Sequence, residues 1–226
     1  MKTPDNAAIA AYYDAMLPRF QADHAGTNAR HARVKMDLAR LVKPGMRILD
    51  LGCGTGITSA FMGGLGAKVT AVDLSPKLIE FARKASAHPN VEYFEGDICD
   101  IGDLFARDYA GNQVVKNGIV LADVMEHIPL EKLMSLMAVI KHHSSPDTWV
   151  YLNIPDGRFI AALSSRASGA LQIIDNPLPI PEILALFETI GYEAATIDIY
   201  GIDVKYQYNA FTFIRRENMA RIHGGL

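Results

Sequence analysis

Gly52, Gly54 and Gly56 occupy alternate positions directly after the run Arg47-Ile48-Leu49-Asp50-Leu51. At the tip of a buried strand, residues without a Cβ let the backbone come closer to a ligand than other side chains allow, and a following helix offers it unpaired N–H groups. That is the shape of a loop holding a nucleotide-type cofactor. A dinucleotide fingerprint, G-x-G-x-x-G/A, needs a small residue where Ile57 stands, so no pyrophosphate cradle is spelled out. The next run, Lys68-Val69-Thr70-Ala71-Val72, alternates as a strand does and stops at Asp73, a carboxylate placed to accept both hydroxyls of a ribose. This acid supports an adenosine ligand without choosing between cofactors. Ser75-Pro76 then reads as a helix start.

Two further segments repeat the theme. Asn90-Val91-Glu92-Tyr93-Phe94-Glu95 reads as a strand leading into Gly96-Asp97-Ile98, and Gly118-Ile119-Val120-Leu121-Ala122 leads into Asp123-Val124-Met125-Glu126-His127-Ile128-Pro129. In this order the four segments, over residues 46 to 129, resemble the class I S-adenosylmethionine-dependent methyltransferases. The first is similar to their D/E-x-G-x-G-x-G loop. The last is similar to the D-V-L-E-H-I/V-P stretch of many small-molecule methyltransferases, including the ubiquinone-biosynthesis type. The resemblance implies that Asp50, Gly52, Cys53, Gly54 and Gly56 wrap the amino-acid and ribose portions of S-adenosylmethionine, with Asp73 and Leu74 at the ribose. It further implies that Asp97 accepts the adenine amino group, that Ile98 covers the ring, and that Ala122 borders the same site.

A sulfonium already activates its methyl group, so catalysis rests mainly on holding nucleophile, methyl carbon and sulfur in line. A base is needed only when the acceptor has a proton to lose, which for a hydroxyl near neutral pH favours histidine or a carboxylate. His127, just past the fourth strand, heads the candidates, followed by His24 and then Tyr13, in or beside the N-terminal helices that in this family often fold over the site. Asp123, Glu126 and His127 would share a face on a helical turn and together suit a divalent cation. No clear fourth ligand accompanies them, His142 and His143 lying at the far end of the following helix, and no metal is expected. The expected acceptor is a small metabolite, methylated on oxygen or nitrogen: a sugar derivative, a quinone or phenol precursor, or a natural-product precursor. The alternative from another class is a non-catalytic S-adenosylmethionine-binding protein that acts through a partner.

Composition narrows the remaining classes. The 226 residues are 50% hydrophobic, enough for an ample core, and the net charge of -3 gives no electrostatic footprint for nucleic acid. Arg30, Arg33 and Lys35 form a short basic cluster, read as a solvated helix face. Cys53 and Cys99 have no zinc or disulfide spacing and fit small buried residues in a reducing compartment. No leader-like or ~20-residue apolar stretch appears, so a cytoplasmic protein without membrane or nucleic-acid partners is expected, with a homodimer as one arrangement open to it.

Helices alternating with strands imply a parallel sheet covered on both faces. The expected fold is α/β and Rossmann-like: a seven-stranded, mostly parallel sheet whose last strand is antiparallel by family resemblance. Its parts are a helical cap over residues 1–44 with helices at 6–20 and 28–42, a cofactor-binding core over 45–154, a lid over 155–181, and the rest of the sheet over 182–226. A helix at 130–142, a fifth strand at 148–152, a helix at 183–190 and strands at 195–200 and 206–214 complete this single domain. The Gly-, Ser- and Pro-rich stretch from Pro155 to Pro181 breaks the alternation above the strand ends where ligands bind, and reads as a substrate wall.

Overall fold

The computed structural model describes residues 3–26, 28–106, 114–166 and 171–218. It opens with helices α1 (Asn6–Ala25) and α2 (Ala29–Leu41), followed by β1 (Arg47–Leu51), α3 (Ile57–Gly64), β2 (Lys68–Asp73), α4 (Pro76–Ala85) and β3 (Val91–Glu95). Then come β4 (Lys116–Ala122), two 3₁₀ turns at Met125–His127 and Leu130–Lys132, α5 (Leu133–His142), β5 (Ser144–Pro155), α6 (Gly157–Ser165), α7 (Ile180–Glu188), β6 (Tyr192–Tyr200) and β7 (Tyr208–Arg215).

The strands form one sheet in the order β3-β2-β1-β4-β5-β7-β6. β1 through β5 pair in parallel, and β7 runs antiparallel to both β5 and β6. Strand order reverses between β1 and β4, which is where open α/β sheets take their ligands, beyond the carboxyl ends of the strands. The alternation of β1 splits the core: Leu49 and Leu51 face a cluster with Leu136, Ile183 and Phe187, whereas Ile48 faces Val34, Leu38, Met62 and Ile79. Helices therefore cover both faces.

Capping explains several boundaries. Ser75 caps α4 by accepting from Leu78 N at 3.2 Å, with Pro76 in the first turn. Asn28 and Asp5 cap α2 and α1 with their side chains. Four details differ from the sequence expectation. α1 continues through Pro18 to Ala25, because one lost N–H does not stop a helix whose C-cap, Gly26, donates back to Ala22 O. β5 starts at Ser144, where Lys116 pairs with it across a register shift, and β6 begins at Tyr192. The stretch 155–181 contains a helix, α6, capped by Asp156. Among the described residues no helix is long and apolar enough to cross a membrane.

Candidate functional site

A cavity of about 560 Å³ opens at the reversal point, a size ordinary for small-molecule sites. Its floor is the loop after β1. Gly52, Gly54 and Gly56 all have positive φ, yet they serve different neighbours. A Cβ on Gly54 (φ +54°) would meet nothing within 4 Å, so its open side is the cavity that it lines. A Cβ on Gly56 (φ +79°) would sit 2.6 Å from the Tyr93 hydroxyl and 2.9 Å from Ser86 Cβ. Gly56 does not line the cavity, and its glycine is required by packing behind the loop. Of the loop residues expected at the cofactor, Gly52, Cys53 and Gly54 line the cavity.

Carboxylates stand at the ends of successive strands. Asp50, 2% exposed on β1, accepts from Ser59 Oγ at 2.5 Å, and burial pushes it up to about 7. Asp73 ends β2 and braces the loop, its two oxygens accepting from Gly54 N at 2.8 Å and Ser75 N at 2.9 Å. Burial holds it above its ordinary value despite these bonds. Asp97, just past β3, accepts from Lys132 Nζ at 2.8 Å, Asn6 Nδ2 at 2.9 Å and Cys99 N at 2.9 Å. Burial opposes its ionisation, but these donors hold it below the usual carboxylate range. Leu74, Ile98 and Ala122 line the same cavity. Asn6 brings the start of α1 down onto this end, a contact 91 residues apart in the chain that no local pattern announces.

The opposite wall comes from the segment after β4, the start of α2 and the 155–181 stretch. Asp123 adopts φ +58°, so it leaves the face that a helical turn would give it with Glu126 and His127. Its carboxylate meets Arg30 Nε at 3.1 Å and accepts from Asn153 Nδ2 at 3.0 Å. Arg30 therefore lines the cavity and does not sit on a solvated face. Arg33 from the same basic cluster pairs with Asp37 at 3.0 Å and also with Asp198. Among the described residues no group of three His, Cys, Asp or Glu side chains is arranged to hold a metal ion.

His127 lines the cavity, but its ring is pinned. Nδ1 lies 2.7 Å from the Ile174 carbonyl, which can only accept, so Nδ1 carries a proton; Asp175 Oδ1 is 3.1 Å from the same nitrogen. Nε2 faces Gln172 at 3.1 Å and Glu126 Oε1 at 3.6 Å. Burial pulls the imidazole down, yet Glu126, Asp175 and the Ile174 carbonyl outweigh it and push His127 up to about 9. Tyr13 also lines the cavity; its buried hydroxyl has no partner, and burial with nearby carboxylates raises it well above the ordinary phenol value. His24 does not reach the cavity: its ring packs edge-on against Phe81 at 5.3 Å. Arg30, Gln172 and Asp175 were not singled out from the sequence as site residues. Each gains its place through a contact distant in the chain.

The residues fit S-adenosylmethionine on three structural grounds. Gly54 leaves a bare backbone against the cavity, the acids Asp50, Asp73 and Asp97 complement a cofactor that carries an ammonium, a ribose and an adenine amino group, and Ile57 lines the cavity where a pyrophosphate loop needs a small residue.

Comparison with known proteins agrees with this geometry. Residues 27–197 match the family model described as "Methyltransferase domain". The ubiquinone biosynthesis O-methyltransferase of Xanthomonas campestris is 37% identical over 91 residues, covering 40% of this chain and 36% of that protein. The mitochondrial enzyme of the same name from Schizosaccharomyces pombe is 37% identical over 131 residues, covering 54% of this chain and 39% of its own length. The match thus spans well under half the length of these curated relatives. Magnesium protoporphyrin IX methyltransferase from Synechocystis PCC 6803, solved with bound SAH, superposes with a TM-score of 0.73 at 15% identity, covering 93% of this chain and 100% of that one, a likeness of fold.

Proposed function

Because the chain belongs to the class I S-adenosylmethionine-dependent methyltransferases, we propose that it transfers a methyl group from S-adenosylmethionine to an oxygen or nitrogen of a small metabolite. The observation that carries the reading is a single cavity lined both by the bare backbone of Gly54 with the acids Asp73 and Asp97 and by Tyr13, Glu126 and His127. In this reading Gly52, Cys53, Gly54 and Asp50 hold the amino-acid portion of the cofactor, Asp73 and Leu74 the ribose, and Asp97 and Ile98 the adenine. When bound, the cofactor supplies a methyl group already activated by a sulfonium. The chain's own contribution is then orientation, exclusion of water and custody of a proton.

Phe159, Ile160 and Leu163 of α6 line the cavity together with Leu171 and Gln172, and in this reading these residues act as the substrate wall. Apolar side chains interleaved with many polar and charged groups suit a compact acceptor that carries hydroxyl substituents. The names of the relatives in ubiquinone biosynthesis favour a quinone or phenol precursor over a sugar derivative.

Incubating the protein with S-adenosylmethionine and fractionated metabolite pools is expected to release S-adenosylhomocysteine and to add the mass of one methylene to one acceptor. Cofactor binding with no turnover across such pools, and activation of a second protein on mixing, would support the alternative of a non-catalytic binding partner.

A further inference from the structure

Glu126 stands apart from the other cavity acids. It is 1% exposed and lines the cavity, and among the described residues neither carboxylate oxygen accepts a hydrogen bond from another residue. Its nearest cationic partner among the described residues is His127 Nε2 at 3.6 Å, beyond hydrogen-bond reach, and its own backbone N–H gives only slight relief. A buried carboxylate without a donor costs several kcal/mol as a rule, and groups left in that state mark places where a ligand completes the bonding. By contrast Asp50, Asp73, Asp97 and Asp123 each have donors within the protein.

Resting on the methyl-transfer reading above, we propose that Glu126, rather than His127, is the catalytic residue that takes the proton, and that the acceptor atom is a hydroxyl oxygen seated against it. The neighbouring groups leave this role to Glu126. His127 already donates from Nδ1 to Ile174, and its second nitrogen faces Gln172, whose buried side-chain oxygen has no other partner. Half a turn of that amide brings its oxygen to Nε2–H, so an imidazolium satisfies both groups. Tyr13, whose hydroxyl proton is held more tightly than in free phenol, is a donor and not a base.

The step balances simply. The acceptor's O–H bond breaks and its proton passes to a Glu126 oxygen; the acceptor oxygen forms the new bond to the methyl carbon as the sulfur–carbon bond breaks, the electron pair staying on sulfur. The products are a methyl ether and neutral S-adenosylhomocysteine. Glu126 returns its proton to water once product leaves.

The groups facing Glu126 are His127, Asp123, Arg30, Tyr13 and Tyr208. Burial pushes Glu126 up to about 7, with Asp123 adding to this and His127 and Arg30 opposing it. The base is its ionised form, so kcat/KM rises with pH through about 7, a range in which His127 keeps its proton.

Three measurements test this. Calorimetry with S-adenosylhomocysteine should give Glu126→Gln an affinity within about three-fold of the wild type, roughly 0.7 kcal/mol, and loss of binding in the wild type itself would overturn the methyl-transfer reading together with the proposal. With the acceptor that the metabolite screen identifies, Glu126→Gln should slow turnover by about 10²-fold or more and lose the rising limb, while His127→Gln keeps the limb. A limb that persists in Glu126→Gln and vanishes in His127→Gln gives the role to His127 and overturns the assignment. Independently of any acceptor, infrared difference spectra of wild type against Glu126→Gln should show a protonated carboxyl band that fades near pH 7. A carboxyl already ionised at pH 5 contradicts the proposal.

Discussion

Replacing Gly54 by Val is expected to abolish measurable binding of S-adenosylmethionine, a loss of at least about 100-fold or ~2.7 kcal/mol, while leaving a folded protein. The residue sits at φ +54° with open cavity on its Cβ side. A branched side chain therefore enters the space the ligand needs without striking the protein. The left-handed backbone adds a folding cost of about 1–2 kcal/mol, within the margin of a typical domain. Gly56→Val makes the informative contrast. There the new Cβ drives into the Tyr93 hydroxyl at 2.6 Å and Ser86 Cβ at 2.9 Å, so the melting temperature should fall well below that of Gly54→Val. A folded Gly54→Val protein with normal cofactor affinity, measured by calorimetry, would show that this loop does not hold the ligand.

Asp73→Ala is expected to weaken cofactor affinity by one to two orders of magnitude, whatever the acceptor. A hydrogen bond to a charged group is worth about 1.5–3 kcal/mol, which sets that range. Two consequences combine in this variant. The ribose would lose its carboxylate, and Gly54 N and Ser75 N lose the oxygens they donate to, at 2.8 and 2.9 Å, so the loop is no longer braced. Asp73→Asn keeps an acceptor oxygen for one of those amides and should bind between the alanine variant and the wild type. An affinity for S-adenosylhomocysteine unchanged in Asp73→Ala would place the ribose elsewhere.

What could be read from the chain follows from the range of each interaction. β1, β2, β3 and β4 were legible because an apolar run ending in glycine or an acid is a local pattern, and the same punctuation located Asp50, Asp73 and Asp97. The three glycines look alike because nothing local reveals that Val124 lies against Gly52 and Tyr93 behind Gly56, leaving only Gly54 open. The wall formed by Arg30, Gln172 and Asp175 was hidden for a related reason. Arg30 reads as part of an exposed basic cluster until Asp123, with its left-handed backbone, turns toward it. His127 reads as a free base until Ile174 and Asp175 come back from 47 and 48 residues further on. Helix ends were displaced where capping outweighed composition, as at α1, which runs past Pro18 to the Gly26 cap.

This cavity should take S-adenosylmethionine and not a dinucleotide, since Ile57 stands where a pyrophosphate loop needs a small residue and Asp50, Asp73 and Asp97 line the space. Titrating the protein with S-adenosylmethionine and with NAD in a calorimeter tests it directly. Saturable binding of S-adenosylmethionine at one site per chain, displaced by S-adenosylhomocysteine and lost in Gly54→Val, with no heat from NAD, is the predicted result; tight binding of NAD with none of the sulfonium cofactor would contradict the account.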